Sequence, residues 1–304
     1  MSIRYQPRRP GRSQFVSLRG LKHHLNVWGD AAMATPERPP LLMMHGWMDV
    51  GASFQFTVDA LSQERYVVAA DWRGFGLTDP NPGDCYWFTD YLGDLDALID
   101  HLSPDHPLDL AGHSMGGNIV MSYAGVRPAR IRRLANLEGF GMPQTRPEHA
   151  PKRLQQWLDE LKQPQKLRSY AGLDEVAARL MKTNPRLGAD KAEWLASHWS
   201  QQREDGRWHV LGDPAHKRVN PVLTRAEDTI ATWRLITAPL LWVEGVGTEF
   251  GKWWGERYTR AQFEERLSVV PKLQRLQLEP AGHMLHHDQP EALARALEAF
   301  FDRL

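Results

Sequence analysis

Residues 108 to 124 constrain the fold of this chain more than any other stretch. An apolar run, Leu108 to Ala111, leads into Gly112-His113-Ser114-Met115-Gly116-Gly117, and Asn118 to Ala124 then continues with helical character. The pattern is a strand, a tight turn with Ser114 at its apex, and a helix, with glycine two residues to either side of the serine. That G-x-S-x-G spacing suits a strained turn that lifts a hydroxyl clear of a sheet edge. Side chains at the two glycines would collide with the neighbouring strand or helix. The turn also sets Ser114 at a helix N-terminus, where free N–H groups and the helix dipole favour a developing negative charge. A chain with this device needs a buried parallel strand before the turn and a helix packed behind it.

A serine at neutral pH is a poor nucleophile without a base. The chain has 13 histidines, and most stand in unpromising places. His23, His24, His101, His106 and His149 lie in polar stretches and are expected at the surface. His283 differs, because it follows a strand-like segment, Leu276-Gln277-Leu278, and the turn Glu279-Pro280-Ala281-Gly282. After it, Pro290 to Leu304 carries Leu293, Ala296, Leu297, Phe300 and Phe301 at helical spacing. His286 and His287 are neighbours, but neither follows the glycine that turns the loop back.

Four segments in order carry a family likeness: Leu42-Met43-Met44-His45-Gly46-Trp47, Asp71-Trp72-Arg73-Gly74-Phe75-Gly76, Gly112-His113-Ser114-Met115-Gly116 and Ala281-Gly282-His283. From about Gly20 to Leu304 the chain resembles the α/β-hydrolase superfamily. His45-Gly46-Trp47-Met48-Asp49, taken with the Gly-His-Ser-Met-Gly-Gly turn, is similar to its serine-hydrolase-like branch. The resemblance implies a mostly parallel eight-stranded sheet flanked by helices, with a helical cap inserted after the sixth strand. It implies Ser114 as nucleophile and His283 as base, in the chain order Ser…acid…His. It also implies an oxyanion hole built from the backbone N–H groups of Met115 and Trp47, with His45 bracing the loop. The Asp71 to Gly76 loop is structural in relatives.

The acid departs from the common pattern. That pattern places an Asp three residues after the glycine ending the seventh strand, here Pro239 to Gly245, and the residue there is Thr248. Two carboxylates remain. Glu138 ends the sixth strand in Asn136-Leu137-Glu138-Gly139-Phe140, which resembles the segment where haloalkane dehalogenases and some of their relatives carry a Glu. Glu249 lies one step beyond Thr248, and Gly247 would have to shift the loop to present it. Glu138 is preferred, because the carboxyl ends of strands are where open α/β sheets build their sites.

The rest of the sequence bounds the answer. Lys plus Arg and Asp plus Glu each number 37, which gives no reason to expect a nucleic-acid partner. No run approaches the length of a membrane span, the single cysteine suits a reducing compartment, and a cytoplasmic protein is expected. Cys85 has no activating neighbour in sequence and is expected to be an ordinary thiol. The core is expected over 1–141 and 237–304, the cap over 142–236, and residues 1–12, with Arg4, Arg8, Arg9 and Arg12, as a flexible tail. The cap holds Trp157, Trp194, Trp199, Trp208 and Trp233, and any ring above the nucleophile would make a water-poor pocket. His209, Asp213 and His216 match no metal-ligand spacing, so neither metal nor cofactor is expected. Three classes of activity fit: hydrolysis of a small apolar ester, thioester or related acyl compound; hydrolysis of a carbon–carbon bond in a dienoate; and ligand binding without catalysis. The oligomeric state is not fixed by the sequence.

Overall fold

Strands and helices alternate along the computed structural model, which describes residues 4–302. β1 (Arg12–Leu18) and β2 (Leu21–Trp28) form an antiparallel hairpin. Its two-residue turn, Arg19-Gly20, has both residues at positive φ, the geometry that matches strand twist. Then follow β3 (Leu41–Met44), α1 (Gln55–Ala60), β4 (Val67–Ala70), α2 (Phe88–Leu102), β5 (Leu108–His113), α3 (Met115–Val126) and β6 (Ile131–Leu137). After an insertion come β10 (Leu240–Gly245), α8 (Phe250–Trp254), α9 (Arg260–Leu267), β11 (Leu273–Leu278), α10 (Leu285–Asp288) and α11 (Pro290–Phe301).

The main sheet has eight strands in the order β1-β2-β4-β3-β5-β6-β10-β11, and its pairs are parallel from β4 onward. β3 and β4 read LLMM and VVAA and are buried throughout, as strands covered on both faces must be. Alternate residues divide between two cores. Leu42, Met44, Val68 and Ala70 pack with α2 and α3, while Leu41, Met43, Val67 and Ala69 pack with α1 and α11.

The insertion between β6 and β10 holds α4 (Ala150–Leu161), α5 (Leu173–Thr183), α6 (Ala189–Trp199) and α7 (Ala226–Trp233). It also contains a small sheet, β7-β9-β8, built from β7 (Ser169–Tyr170), β8 (Ser200–Gln202) and β9 (Trp208–Val210). Strands of two or three residues are too short to leave a periodic trace in sequence. Val176, Leu195 and Val210 of the insertion pack on Val50, Ala52 and Phe56 of the main body, so the insertion is seated beside the β3 loop.

Two expectations are corrected. Of the segment expected as a loose tail, residues 1–3 lie outside the described residues, and the rest is anchored. The Tyr5 hydroxyl donates to the Asp59 carboxylate, and the Arg8 and Arg9 amides donate to it at 2.8 and 2.6 Å. The Arg9 guanidinium donates to the carbonyls of Val58 and Leu61, so the arginines satisfy the exposed carbonyl end of α1. His23 and His24 are buried, not superficial. His24 is held between Asp71 (2.7 Å) and Ser13 (2.8 Å), partners that no local pattern reveals.

Candidate active site

Ser114 stands between β5 and α3 with φ 53° and ψ −114°, a conformation that costs an L-residue energy and persists only when the surroundings impose it. The imposition is visible at Gly116, where a Cβ would strike the carbonyl oxygens of Met44 and His45. The helix therefore starts hard against the end of β3, and the serine is turned outward.

His283 approaches from the loop after β11. Its Nε2 lies 3.0 Å from Ser114 Oγ and its Nδ1 lies 2.9 Å from Glu138 Oε2. A carboxylate only accepts, so Nδ1–H donates to Glu138 and Nε2 is left to accept from the serine hydroxyl. The His283 carbonyl in turn accepts from His113 Nε2–H at 2.8 Å, which fixes the loop to the elbow. The sequence reading gives His113 no part, although it lies inside the serine turn.

Glu138 leaves β6 with φ 60°, a second strained non-glycine residue at the same sheet edge. Its Oε1 accepts from the Gly245 amide and from the Thr248 hydroxyl, each at 2.7 Å. Thr248, which stands where an Asp is common, therefore props the carboxylate that comes from the neighbouring strand. Glu249 is exposed and pairs with Lys252. The structure brings Ser114, His283 and Glu138 into one relay and leaves Glu249 outside it.

Burial opposes charge on both partners of the relay. It pushes Glu138 up to about 7, against the Thr248 and Gly245 hydrogen bonds that favour the carboxylate, and pushes His283 down to about 4. Above pH 7 the pair is therefore carboxylate and neutral imidazole, the state in which His283 can take a proton.

The β3 loop runs directly over the serine. A Cβ on Gly46 would lie 2.9 Å from His113 Nδ1 and 3.2 Å from Ser114 Cβ, so this passage needs glycine. The Trp72 amide donates to His45 Nε2 at 3.0 Å, which makes Nδ1 the protonated nitrogen, donating to the Gly46 carbonyl at 2.7 Å. His45 is thus a brace for the loop bearing Trp47. Met115 is the first residue of α3, where the N–H has no partner within the helix.

A cavity of about 970 Å³ opens above these groups, with Trp47, Leu187, Leu195, Trp199, Trp253 and Trp254 among its walls. The Trp253 ring meets His283 edge-on at 4.4 Å. Of the five cap tryptophans, Trp199 reaches the cavity, its indole N–H donating to the Met48 carbonyl at 2.9 Å. Trp233 belongs to the main core, Trp208 packs in the insertion, Trp194 stacks on His198, and Trp157 donates to Cys85 Sγ. Burial raises the Cys85 thiol, which disfavours the thiolate.

His209, Asp213 and His216 have other engagements. His209 contacts Asp205, Asp213 accepts from Tyr86, and His216 stacks on the rings of Phe75 and Tyr86. Among the described residues, the group with donor atoms mutually within 4.8 Å is Asp49, His286 and His287, all buried. His286 and His287 are held well below the ordinary histidine range, by burial first.

Known proteins share this architecture. Residues 39–290 match the family model described as the alpha/beta hydrolase fold. A serine hydrolase-like protein of Danio rerio is 25% identical over 187 residues, spanning 59% of this chain and 55% of that protein. The chain thus spans about half the length of that relative. The 2-(acetamidomethylene)succinate hydrolase of Mesorhizobium japonicum is 25% identical over 87% of this chain and 88% of its own length. Among solved structures, a thioesterase domain from the curacin biosynthetic pathway superposes with a TM-score of 0.80 at 25% identity, covering 95% of this chain and 99% of that domain. No helix among the described residues is long and apolar enough to cross a membrane. By sequence model, sheet order and elbow geometry together, the chain belongs to the α/β-hydrolase fold family.

Proposed function

We propose that this hydrolase cleaves a carboxylic ester or related acyl bond through an acyl-enzyme on Ser114. The observation that carries the reading is the continuous relay from Ser114 Oγ to His283 Nε2 and from His283 Nδ1 to Glu138 Oε2. His283 takes the hydroxyl proton as Oγ attacks the carbonyl carbon, and Glu138 stabilises the resulting imidazolium. The oxyanion forms against the N–H groups of Trp47 and Met115, each such donor typically worth about 3 kcal/mol to the transition state. His283 then gives its proton to the leaving alcohol or thiol as the acyl–oxygen or acyl–sulfur bond breaks. Water, deprotonated by the same imidazole, releases the acid and restores the serine. The tryptophan-lined walls suit an apolar acyl portion and keep water from the imidazole.

The curacin thioesterase likeness supports acyl transfer, and the kinship with serine hydrolase-like proteins supports the serine. A fluorophosphonate should label Ser114 alone, and a p-nitrophenyl ester series of graded chain length should show burst release of nitrophenol. Labelling elsewhere, or turnover of dienoates with none of esters, would move the reading to another chemistry.

A further inference from the structure

Four cations line the catalytic cavity on the side of the insertion. Arg168 precedes β7, Arg179 and Lys182 lie on α5, and Lys217 closes the short 3-10 turn Pro214–Lys217. All four are exposed. None is spent on a carboxylate among the described residues. The Arg179 guanidinium donates to the Thr183 hydroxyl, the Lys217 ammonium donates to the Lys166 carbonyl, and the Arg168 guanidinium lies over the Tyr170 ring. The two carboxylates in the same cavity are buried and engaged: Glu138 in the relay, and Asp49 with the Ser53 hydroxyl. The chain as a whole balances 37 cations with 37 anions, so this positive rim is a local excess. Low-dielectric walls of tryptophan and leucine focus such a field into the cavity.

Resting on the hydrolytic reading above, we infer that the acyl substrate carries a fixed anionic group, a carboxylate or a phosphate, that is held by Arg168, Arg179, Lys182 and Lys217. The substrate is amphipathic. Its apolar part lies under Trp199 and Trp253, and its anion reaches the rim, where guanidinium groups offer paired donors to either oxyanion. Exposed single pairs contribute little, but four cations facing one anion act together on capture more than on chemistry.

The test compares matched substrates at low ionic strength. Mono-p-nitrophenyl glutarate against p-nitrophenyl pentanoate isolates a carboxylate on the acyl side, and butyryl-4′-phosphopantetheine against butyryl-pantetheine isolates a phosphate on the leaving arm. One anionic member should exceed its neutral partner in kcat/KM by about tenfold or more, through KM, and the advantage should shrink as salt rises. Changing all four cations to Gln should bring that ratio close to one, with thermal unfolding monitored to confirm the fold. The pair that shows the effect identifies carboxylate or phosphate. Neutral partners as good as both anionic ones, or a ratio that survives the fourfold change, overturn the subsite. Absence of all turnover together with no fluorophosphonate labelling would refute the hydrolytic reading instead. The subsite is then judged by calorimetric binding of glutarate and 4′-phosphopantetheine to wild-type and fourfold-changed protein, and no binding difference overturns it.

Discussion

The loops that end β6 and β10 can be compared residue against residue, because the strands are parallel neighbours with Leu137 opposite Val243. The β10 loop is where relatives commonly place the acid, and here it offers Thr248. The β6 loop places Glu138 one step past the paired register, with its amide bonded to the Val243 carbonyl. From there the carboxylate reaches across to the Gly245 amide and the Thr248 hydroxyl. The two loops have exchanged tasks: one supplies the charge and the other the hydrogen bonds that hold it. What fixes a triad acid is its place relative to His283 Nδ1, and adjacent strand ends offer two perches for it.

The largest effects test the groups both perches serve. Ser114→Ala and His283→Ala should each lower kcat by about 10⁴-fold or more, and the double substitution should be little worse, because the groups act as a unit. Measured kcat for a p-nitrophenyl ester decides it, and additive losses would mean that the two residues do not share a step.

The second effect separates the two loops. An amide in place of the true acid orients the wrong imidazole tautomer, so Glu138→Gln should lose about 10³- to 10⁴-fold in kcat with KM nearly unchanged. Glu249→Gln should lose less than about tenfold, since its exposed charge is screened by solvent. Reversed magnitudes would return the acid to the β10 loop.

Much of this arrangement is legible in sequence, and the illegible parts have physical causes. The serine turn, the His283 loop and a carboxylate ending an apolar strand announce themselves because each depends on near neighbours. Thr248 is silent, because a threonine in a loop has no signature until a carboxylate from another strand meets it. His23 and His24 look superficial because their neighbours are polar, and the residues they face, Asp94 for His23 and the hydrogen-bonded Asp71 for His24, lie far along the chain. Trp253 looks like any residue of a short loop helix, yet its ring edges the His283 imidazole, whereas Trp233, counted among the cap rings, is main-core packing. Side-chain roles set by tertiary contacts carry no local pattern.

A smaller effect comes from moving the acid back. In the Glu138→Gln background, adding Thr248→Asp should recover about ten- to a hundredfold of the lost kcat, because a carboxylate then stands on the commoner perch. Full recovery is not expected, since a misplacement of about an ångström costs about a hundredfold. No recovery, in protein whose unfolding temperature matches that of the single variant, would show that the loop Val246-Gly247-Thr248 cannot turn a carboxylate toward Nδ1.

Thr248→Val should give the smallest change and is informative about protons. The hydroxyl bond holds the Glu138 carboxyl down, against a burial effect that raises it to about 7. Removing that bond favours the protonated form, so the acid side of the kcat profile should move to higher pH. Hydrogen bonds to charged groups contribute roughly 1.5–3 kcal/mol, and one pH unit corresponds to about 1.4 kcal/mol, so the displacement should be about one to two units. Activity well above the limb should fall less than about threefold, while the loss near pH 6 should reach about tenfold or more. The sign follows from the charge needed: the proposed mechanism uses ionised Glu138 and neutral His283, and raising the acid's pKa shortens the range in which both hold. A limb that does not move would belong to His283 alone and would leave Thr248 as a packing residue. Because the limb reports a coupled pair, the profile of Thr248→Val is best read against Thr248→Ser, which restores the donor and should restore the wild-type limb.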